Sequence, residues 1–125
     1  MRFMILFALL VVLVAAASAA RASGDPEAGR RVFGRCHNCH SVDPKNDRMV
    51  GPNLHGLFGR RAGSLAGFHY SDAMRGAGFV WSEETLPVYI RDPQALVPDN
   101  RMMFPGLRST REIEDLVAYL RAATR

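Results

Sequence analysis

The sequence is poor in lysine and lacks the usual pattern of a nucleic-acid-binding protein. Lys45 is its single lysine, and arginine supplies the rest of the 16 basic side chains, which stand against 12 acidic ones. No basic stripe with interleaved aromatic residues occurs, so the formal net charge of +4 does not indicate a nucleic-acid partner. Because guanidinium groups form planar, bidentate contacts, the bias towards arginine favours carboxylate ligands instead.

Cysteine is equally scarce, and its placement excludes most structural roles. The chain of 125 residues has two cysteines, Cys36 and Cys39, and no others that could complete a finger-like zinc site. A thioredoxin-like dithiol would need a βαβ pattern beside the pair, and no strand alternation is present. A plain disulfide in an exported chain is the remaining alternative. It gives no role to His40, which directly follows the second cysteine.

The segment Cys36-His-Asn-Cys-His40 has the C-x-x-C-H spacing of covalent haem attachment. The two-residue gap lets both thiols reach neighbouring vinyl groups from one helical turn, and the adjacent histidine comes under the iron. His37, inside the motif, is predicted to be a solvated side chain. The segment therefore predicts one haem c joined through Cys36 and Cys39, with His40 as an axial iron ligand.

The first 22 residues have the organisation of a secretory signal peptide. A minimal positive start is followed by an unbroken apolar run and by small residues, with cleavage sites after Ala19 or Ala22. An uncleaved membrane anchor is the alternative, since residues 3–20 are almost entirely apolar. We expect export to the bacterial periplasm and a single mature domain, residues 23–125.

The rest of the chain lacks repeats and low-complexity tracts, and its signals are those of short helices and long loops. Residues 41–69 are rich in Gly, Pro, Asn and Asp, which predicts a long loop. The capping box of Ser109 and Glu112 marks the most clearly defined helix. The predicted helices run from Asp25 into Cys36, from Ser71 through Arg75, from Ser82 to near Asp92, and from Ser109 onward. So long a loop suits a domain whose loops wrap a large apolar cofactor.

The second axial position on the iron decides the chemistry. An open position permits reactions with gases or peroxide, a second histidine lowers the potential, and a methionine thioether raises it. Met102 and Met103 lie in a loop bounded by proline and glycine, where a thioether can project inward. The other candidates are expected to have ordinary structural roles: Met49, Met74, His55 and His69. The loop context alone leaves both Met102 and Met103 open.

Several separated motifs occur in an order that is typical of one protein family. They begin with Gly24-Asp-Pro-Glu-Ala-Gly and continue through Gly51-Pro-Asn-Leu, Trp81-Ser-Glu-Glu and the loop from Pro98 to Leu107. On these motifs the chain resembles the class I cytochromes c of the mitochondrial-like bacterial kind, over residues 24–123. The resemblance implies an all-α, small cytochrome c fold, in which the N- and C-terminal helices cross. The crossing would involve Gly29, Phe33, Leu116 and Tyr119.

The same resemblance implies a set of haem contacts. It places the axial methionine at Met102 rather than Met103, and it gives the carbonyl of Pro52 a hydrogen bond from the His40 ring. The haem propionates and the methionine sulfur would be contacted by four further side chains: Arg60, Tyr70, Trp81 and Tyr89.

The function implied by the resemblance is the transport of single electrons, without enzymatic activity. We expect a monomer that docks briefly with donor and acceptor proteins of a respiratory or photosynthetic chain, with no membrane insertion after signal removal. Two alternatives are a subunit of a membrane oxidase or dehydrogenase complex, and a haem protein that loses Met102 and reacts with peroxide or gases.

The expected docking surface differs from that of mitochondrial members. Gln94 and Ala95 stand where those proteins present a pair of lysines to acidic partners. The remaining basic rim is expected at three arginines: Arg35, Arg101 and Arg108.

Overall fold

The computed structural model describes residues 24–125, so the predicted signal peptide and the first residue of the predicted domain lie outside the described residues. The five helices are α1 (Pro26–Val32), α2 (Asp72–Arg75), α3 (Thr85–Arg91), α4 (Pro93–Leu96) and α5 (Thr110–Ala123). A 3-10 turn, Phe33–Arg35, continues α1. Between residues 24 and 125 no strand forms, and only an isolated antiparallel bridge joins Arg61 to Val80. The predicted all-α fold class is confirmed.

The first and last helices cross at close range. Gly29 of α1 lies so near the carbonyl oxygen of Asp115 in α5 that a Cβ atom there would overlap with it. The backbone N–H of Asp25 donates to Oδ1 of Asp115 at 2.7 Å. Beyond the crossing point, the rings of Phe33 and Tyr119 pack with their centroids 5.3 Å apart. The predicted helix crossing is therefore present, and the absence of a side chain at Gly29 permits it.

The middle of the chain differs from the sequence-based expectation in two ways. The Ser82 hydroxyl accepts hydrogen bonds from the N–H groups of Glu84 and Thr85, so it caps a turn that precedes α3. Helix α4 is absent from the sequence-based prediction, in which the helix from Ser82 ends near Asp92 and no further helix follows before Ser109. The Asp92 side chain caps α4 by accepting from the N–H of Ala95, with proline at the first helical position.

The hydrophobic core gathers side chains from the loops as well as the helices. Four residues at helical spacing on α5 are buried: Ile113, Leu116, Val117 and Leu120. They pack in one cluster with Leu57 and Ala62 from the predicted loop and with Trp81, Leu86, Tyr89 and Ile90. No helix within residues 24–125 is both long and apolar enough to cross a bilayer.

Candidate haem site

The two cysteines and His40 lie on one helical turn. The N–H of His40 donates to the carbonyl of Cys36 at 2.9 Å, and the N–H of Cys39 donates to the same carbonyl at 3.1 Å. The turn continues the preceding 3-10 segment, because the N–H of Cys36 bonds to the carbonyl of Phe33. Local backbone hydrogen bonds therefore bring the three side chains of the motif together.

Both thiols are free, so the structure gives no support to the disulfide alternative. Burial raises the pKa of Cys36 to about 11; the nearby Arg35 charge lowers it by less, and Cys39 adds a smaller rise. A redox dithiol needs an attacking thiol whose pKa is lowered, and Cys36 has the opposite property. The environment of Cys36 suits an uncharged sulfur, as in a thioether.

The ring of His40 is oriented by the backbone of the long loop. Its Nδ1 lies 2.7 Å from the carbonyl oxygen of Pro52. A carbonyl only accepts, so Nδ1 carries the proton and Nε2 has a free lone pair. Burial is the main cause of a lowered pKa at His40, and this favours the neutral imidazole that binds metal ions.

Gly51 is a functional position that the sequence reasoning did not single out. Its N–H donates to the carbonyl of Cys39 at 2.7 Å. A Cβ at this position would lie 2.5 Å from Cε1 and 2.8 Å from Nδ1 of the His40 ring. Only glycine lets the loop approach the ring closely enough for Pro52 to accept its hydrogen bond. The sequence signal for this approach was the Gly51-Pro52 pair, which marks a turn.

The two adjacent methionines lie in opposite environments. Met103 is 99 % exposed, whereas Met102 is partly buried against the hydrophobic core. Its Sδ lies 3.9 Å from the hydroxyl oxygen of Tyr89. Burial raises the pKa of Tyr89 to about 12, so this phenol remains protonated and able to donate. The ring of Trp81 packs edge-on against Tyr89, with the centroids 4.9 Å apart.

Arg60 and Trp81 are neighbours across the short antiparallel bridge. The N–H of Trp81 donates to the carbonyl of Arg60 at 2.9 Å. Two nitrogens of the Arg60 guanidinium donate to the carbonyls of His55 and Asn53, at 3.2 and 3.0 Å, but the buried Nε has no partner. An unpaired buried donor of a charged group is costly. A carboxylate such as a haem propionate would satisfy it, so this residue fits the cofactor that the sequence predicts.

Tyr70 is close enough to Arg60 for the guanidinium charge to affect the pKa of its hydroxyl. Burial raises the pKa of Tyr70, while the neighbouring Arg60 charge partly opposes that rise. The Tyr70 hydroxyl accepts a hydrogen bond from the N–H of Leu65 at 3.3 Å and keeps its own proton available for an acceptor. Arg60 and Tyr70 together therefore offer donors to an anionic group.

The comparison with known proteins agrees with this geometry. A protein-family model described as cytochrome c matches residues 26–124.

The chain belongs to the cytochrome c family.

Its relatives include a cytochrome c2 of Blastochloris viridis, 43% identical over 117 residues, which cover 94% of this chain and 91% of the relative. A cytochrome c2 of Rhodomicrobium vannielii is 41% identical, covering 90% of this chain and 94% of the relative. A plant cytochrome c, from Ginkgo biloba, is 41% identical over 102 residues, covering 81% of this chain and 90% of the relative.

The family membership establishes the cofactor and the class of activity. The cofactor is a covalent haem c, and Cys36 and Cys39 are the two cysteines that can attach it. The chain is an electron-transfer haem protein.

The other histidines and methionines that the sequence offers as iron ligands are exposed, buried in a helix or hydrogen-bonded elsewhere. His37, His55 and His69 are exposed, and Nδ1 of His37 lies 2.9 Å from the carbonyl of Gly34. Met74 is buried in α2, and Met49 accepts a long hydrogen bond from Asn46.

The three arginines of the expected basic rim differ in their ion pairing. The Arg35 guanidinium forms a two-pronged ion pair with Glu112 of α5, at 3.1 and 3.0 Å. Arg101 and Arg108 are both exposed. Of these three arginines, Arg35 alone forms an ion pair among residues 24–125.

Proposed function

We propose that this chain is an exported carrier of single electrons whose haem iron is held by His40 on one side and by Met102 on the other. The contrast between the adjacent methionines carries the proposal. The sulfur of Met102 faces the buried Tyr89, whereas Met103 is 99 % exposed. A thioether ligand has to lie inside the fold, and of these two only Met102 does.

When bound, the haem supplies one-electron exchange between Fe(III) and Fe(II). The residues of the chain keep the surroundings constant during that exchange. Pro52 fixes the tautomer of His40 and strengthens it as a ligand, and Tyr89 donates towards the sulfur of Met102. With both axial positions filled, a substrate has no access to the metal, so we propose that the chain is not an enzyme.

The propionate contacts form the second part of the assignment. We assign Arg60, Tyr70 and Trp81 to the propionates, whereas Cys36 and Cys39 would bind the vinyl groups. The unpaired buried Nε of Arg60 is the observation that supports it. The pairing would give the buried Nε of the partly buried Arg60 an acceptor and would give a propionate a cationic partner.

A matched pair of variants tests the ligand assignment. The oxidised holoprotein is expected to show the weak absorption band near the red end of the visible range that is typical of thioether coordination. Met102→Ala should abolish this band, and Met103→Ala should keep it. A band that survives in Met102→Ala and disappears in Met103→Ala would reverse the assignment, and a wild-type protein without the band would refute thioether coordination.

Export to the bacterial periplasm completes the proposal. It is supported by the charge and apolar pattern of residues 1–22. The alignment with the Blastochloris relative spans 117 residues, so it extends from the described residues into part of the predicted signal peptide. Sequencing the mature N-terminus tests it. We expect Ala20 or Ser23 as the first residue and recovery in the periplasmic fraction. Retention of Met1 in the membrane fraction would instead support a subunit anchored to a membrane complex.

We propose that a monomeric carrier docks transiently with its redox partners through the exposed Arg101 and Arg108. Both arginines lie in the segment that follows α4, close in sequence to Met102. An electrostatic patch speeds association without creating a long-lived complex, which suits rapid turnover. The donor and acceptor would accordingly present acidic surfaces.

A further inference from the structure

The loop that carries Met102 is fastened by a buried asparagine. Asn100 is 8 % exposed, and its Nδ2 donates to the carbonyls of Pro93 and Val97, at 3.1 and 2.8 Å. Its Oδ1 accepts from the N–H of Met102 at 2.9 Å. Both donors and the acceptor of this amide are therefore used, and they join the start and the end of α4 to the backbone of Met102.

A second amide side chain reinforces the same loop. Nε2 of Gln94 donates to the carbonyl of Asn100 at 3.0 Å, and Oε1 of Gln94 accepts from the N–H of Asp99 at 3.2 Å. Asp99 has φ of 67°, in the left-handed region, and is the only non-glycine residue with positive φ between residues 24 and 125. Such a conformation persists only where the surroundings impose it. Gln94 supplies two of the contacts that do so.

Few backbone hydrogen bonds hold this segment, and the first runs from the N–H of Asn100 to the carbonyl of Val97 at 3.2 Å. The N–H of Phe104 donates to the carbonyl of Met102, within the same loop. The next backbone hydrogen bond to another element joins the N–H of Leu107 to the carbonyl of Ile90 in α3. The N–H of Met102 itself bonds to a side chain. The position of Met102 therefore depends on Asn100 and, through it, on Gln94.

We propose that Asn100 and Gln94 are positioning residues that keep Met102 in place against competing ligands. This inference rests on the proposed function, in which Met102 is the axial ligand. The two amides make the loop stiff, so displacing the thioether requires breaking their hydrogen bonds as well as the bond to the metal.

The test is the affinity of the oxidised holoprotein for imidazole, which is measured by the loss of the red thioether band as imidazole is added. Gln94→Ala and Asn100→Ala should each raise this affinity by about tenfold, since each removes at least two hydrogen bonds from the loop. The exposed Gln94 is the safer variant to fold. If Asn100→Ala cannot be purified, the result with Gln94→Ala decides.

Asn53 provides a matched control in the long loop near Pro52. Its Nδ2 donates to the carbonyls of Asp43 and Asn46, at 2.6 and 2.8 Å, and its Oδ1 accepts from the N–H of His55 at 2.7 Å. Asn53→Ala thus removes the same kinds of bond as Asn100→Ala. It should lower the urea midpoint of unfolding and leave imidazole affinity within about twofold.

A second readout does not depend on the competing ligand. Amide hydrogen exchange at Met102 should become about tenfold faster in Gln94→Ala and stay unchanged in Asn53→Ala. Equal imidazole affinities in Gln94→Ala and wild type, with the red band present in both, would overturn the positioning role alone. An equal rise in Asn53→Ala would show a general loss of stability and would overturn it too. Absence of the band from wild type would refute Met102 ligation, and this inference with it.

Discussion

The two sides of the haem site are constructed differently. On the side of His40, the proposed ligand extends a helical turn, its Nδ1 bonds to the Pro52 carbonyl and Gly51 lies against its ring. On the side of Met102, the proposed ligand lies in a loop that the side-chain amides of Gln94 and Asn100 join by hydrogen bonds. The histidine is thus held by backbone and by covalent attachment nearby, while the methionine is held by side chains. The contrast predicts that the methionine side yields first to competing ligands.

The largest expected effect comes from crowding the histidine side. In Gly51→Ala the added Cβ would lie 2.5 Å from Cε1 of His40 and 3.0 Å from the carbonyl oxygen of Cys39. We expect the free energy of unfolding to fall by about 3 kcal/mol, because neither the ring nor the backbone can move aside without losing the bond to Pro52. Urea unfolding of the holoprotein measures this.

Gly34→Ala is the control for that variant. A Cβ at Gly34 meets nothing within 4 Å, and the residue lies in the helical turn just before the motif. We expect its stability to equal or slightly exceed that of wild type. Similar losses in Gly34→Ala and Gly51→Ala would show that the packing against His40 is not what makes Gly51 necessary.

The methionine side should carry an alkaline dependence of stability. Burial raises the pKa of Tyr89 from 10.0 to about 12. The folded protein therefore favours the protonated phenol. Its contribution is fully present below about pH 10 and is lost as the pH rises towards 12, a change of about 2 kcal/mol.

Tyr89→Phe removes that titration. Measured at about pH 8 and about pH 11, the free energy of unfolding should fall less in Tyr89→Phe than in wild type. The two proteins are compared with each other at each pH, so that changes common to both cancel. Parallel losses in both would mean that Tyr89 ionises as easily in the folded as in the unfolded chain.

The smallest expected effect concerns docking. Arg101→Gln should lower the second-order electron-transfer rate at low salt by about threefold, and Arg35→Gln should lower it less, because Glu112 already neutralises Arg35. The rates of all proteins should converge as salt screens the charges. Rates that stay flat from low to high ionic strength would contradict an arginine docking surface.

The sequence was most informative where structure is local. The C-x-x-C-H motif is one turn of helix held by its own backbone, and the capping signals of Asp25 and Ser109 lie within three residues of the N–H groups that they bind. The periodic apolar residues of α5 likewise define its buried face before any partner is known. Spacing along the chain therefore predicts the attachment motif and the buried face of α5, whereas the helix crossing was expected only from the family resemblance.

The features that the sequence did not reveal depend on distant groups. Arg35 and Glu112 are 77 residues apart, so nothing in either segment signals that they pair. The hydrogen bonds of Gln94 and Asn100 require α4. This helix starts with Asp92-Pro93, the same pair of residue types that starts α1, but it directly follows another helix. The contact between Gly51 and His40 depends on how the long loop folds back. The methionine side was accordingly less predictable from the residues alone.

A potentiometric titration of the purified mature protein, followed by its visible spectrum, tests the central claim most directly. A carrier that keeps His40 and Met102 in both oxidation states should give one single-electron curve, identical in the oxidative and reductive directions, with full return of the red thioether band on reoxidation. Hysteresis between the two directions, or a band that does not return, would show that Met102 leaves the iron during the cycle.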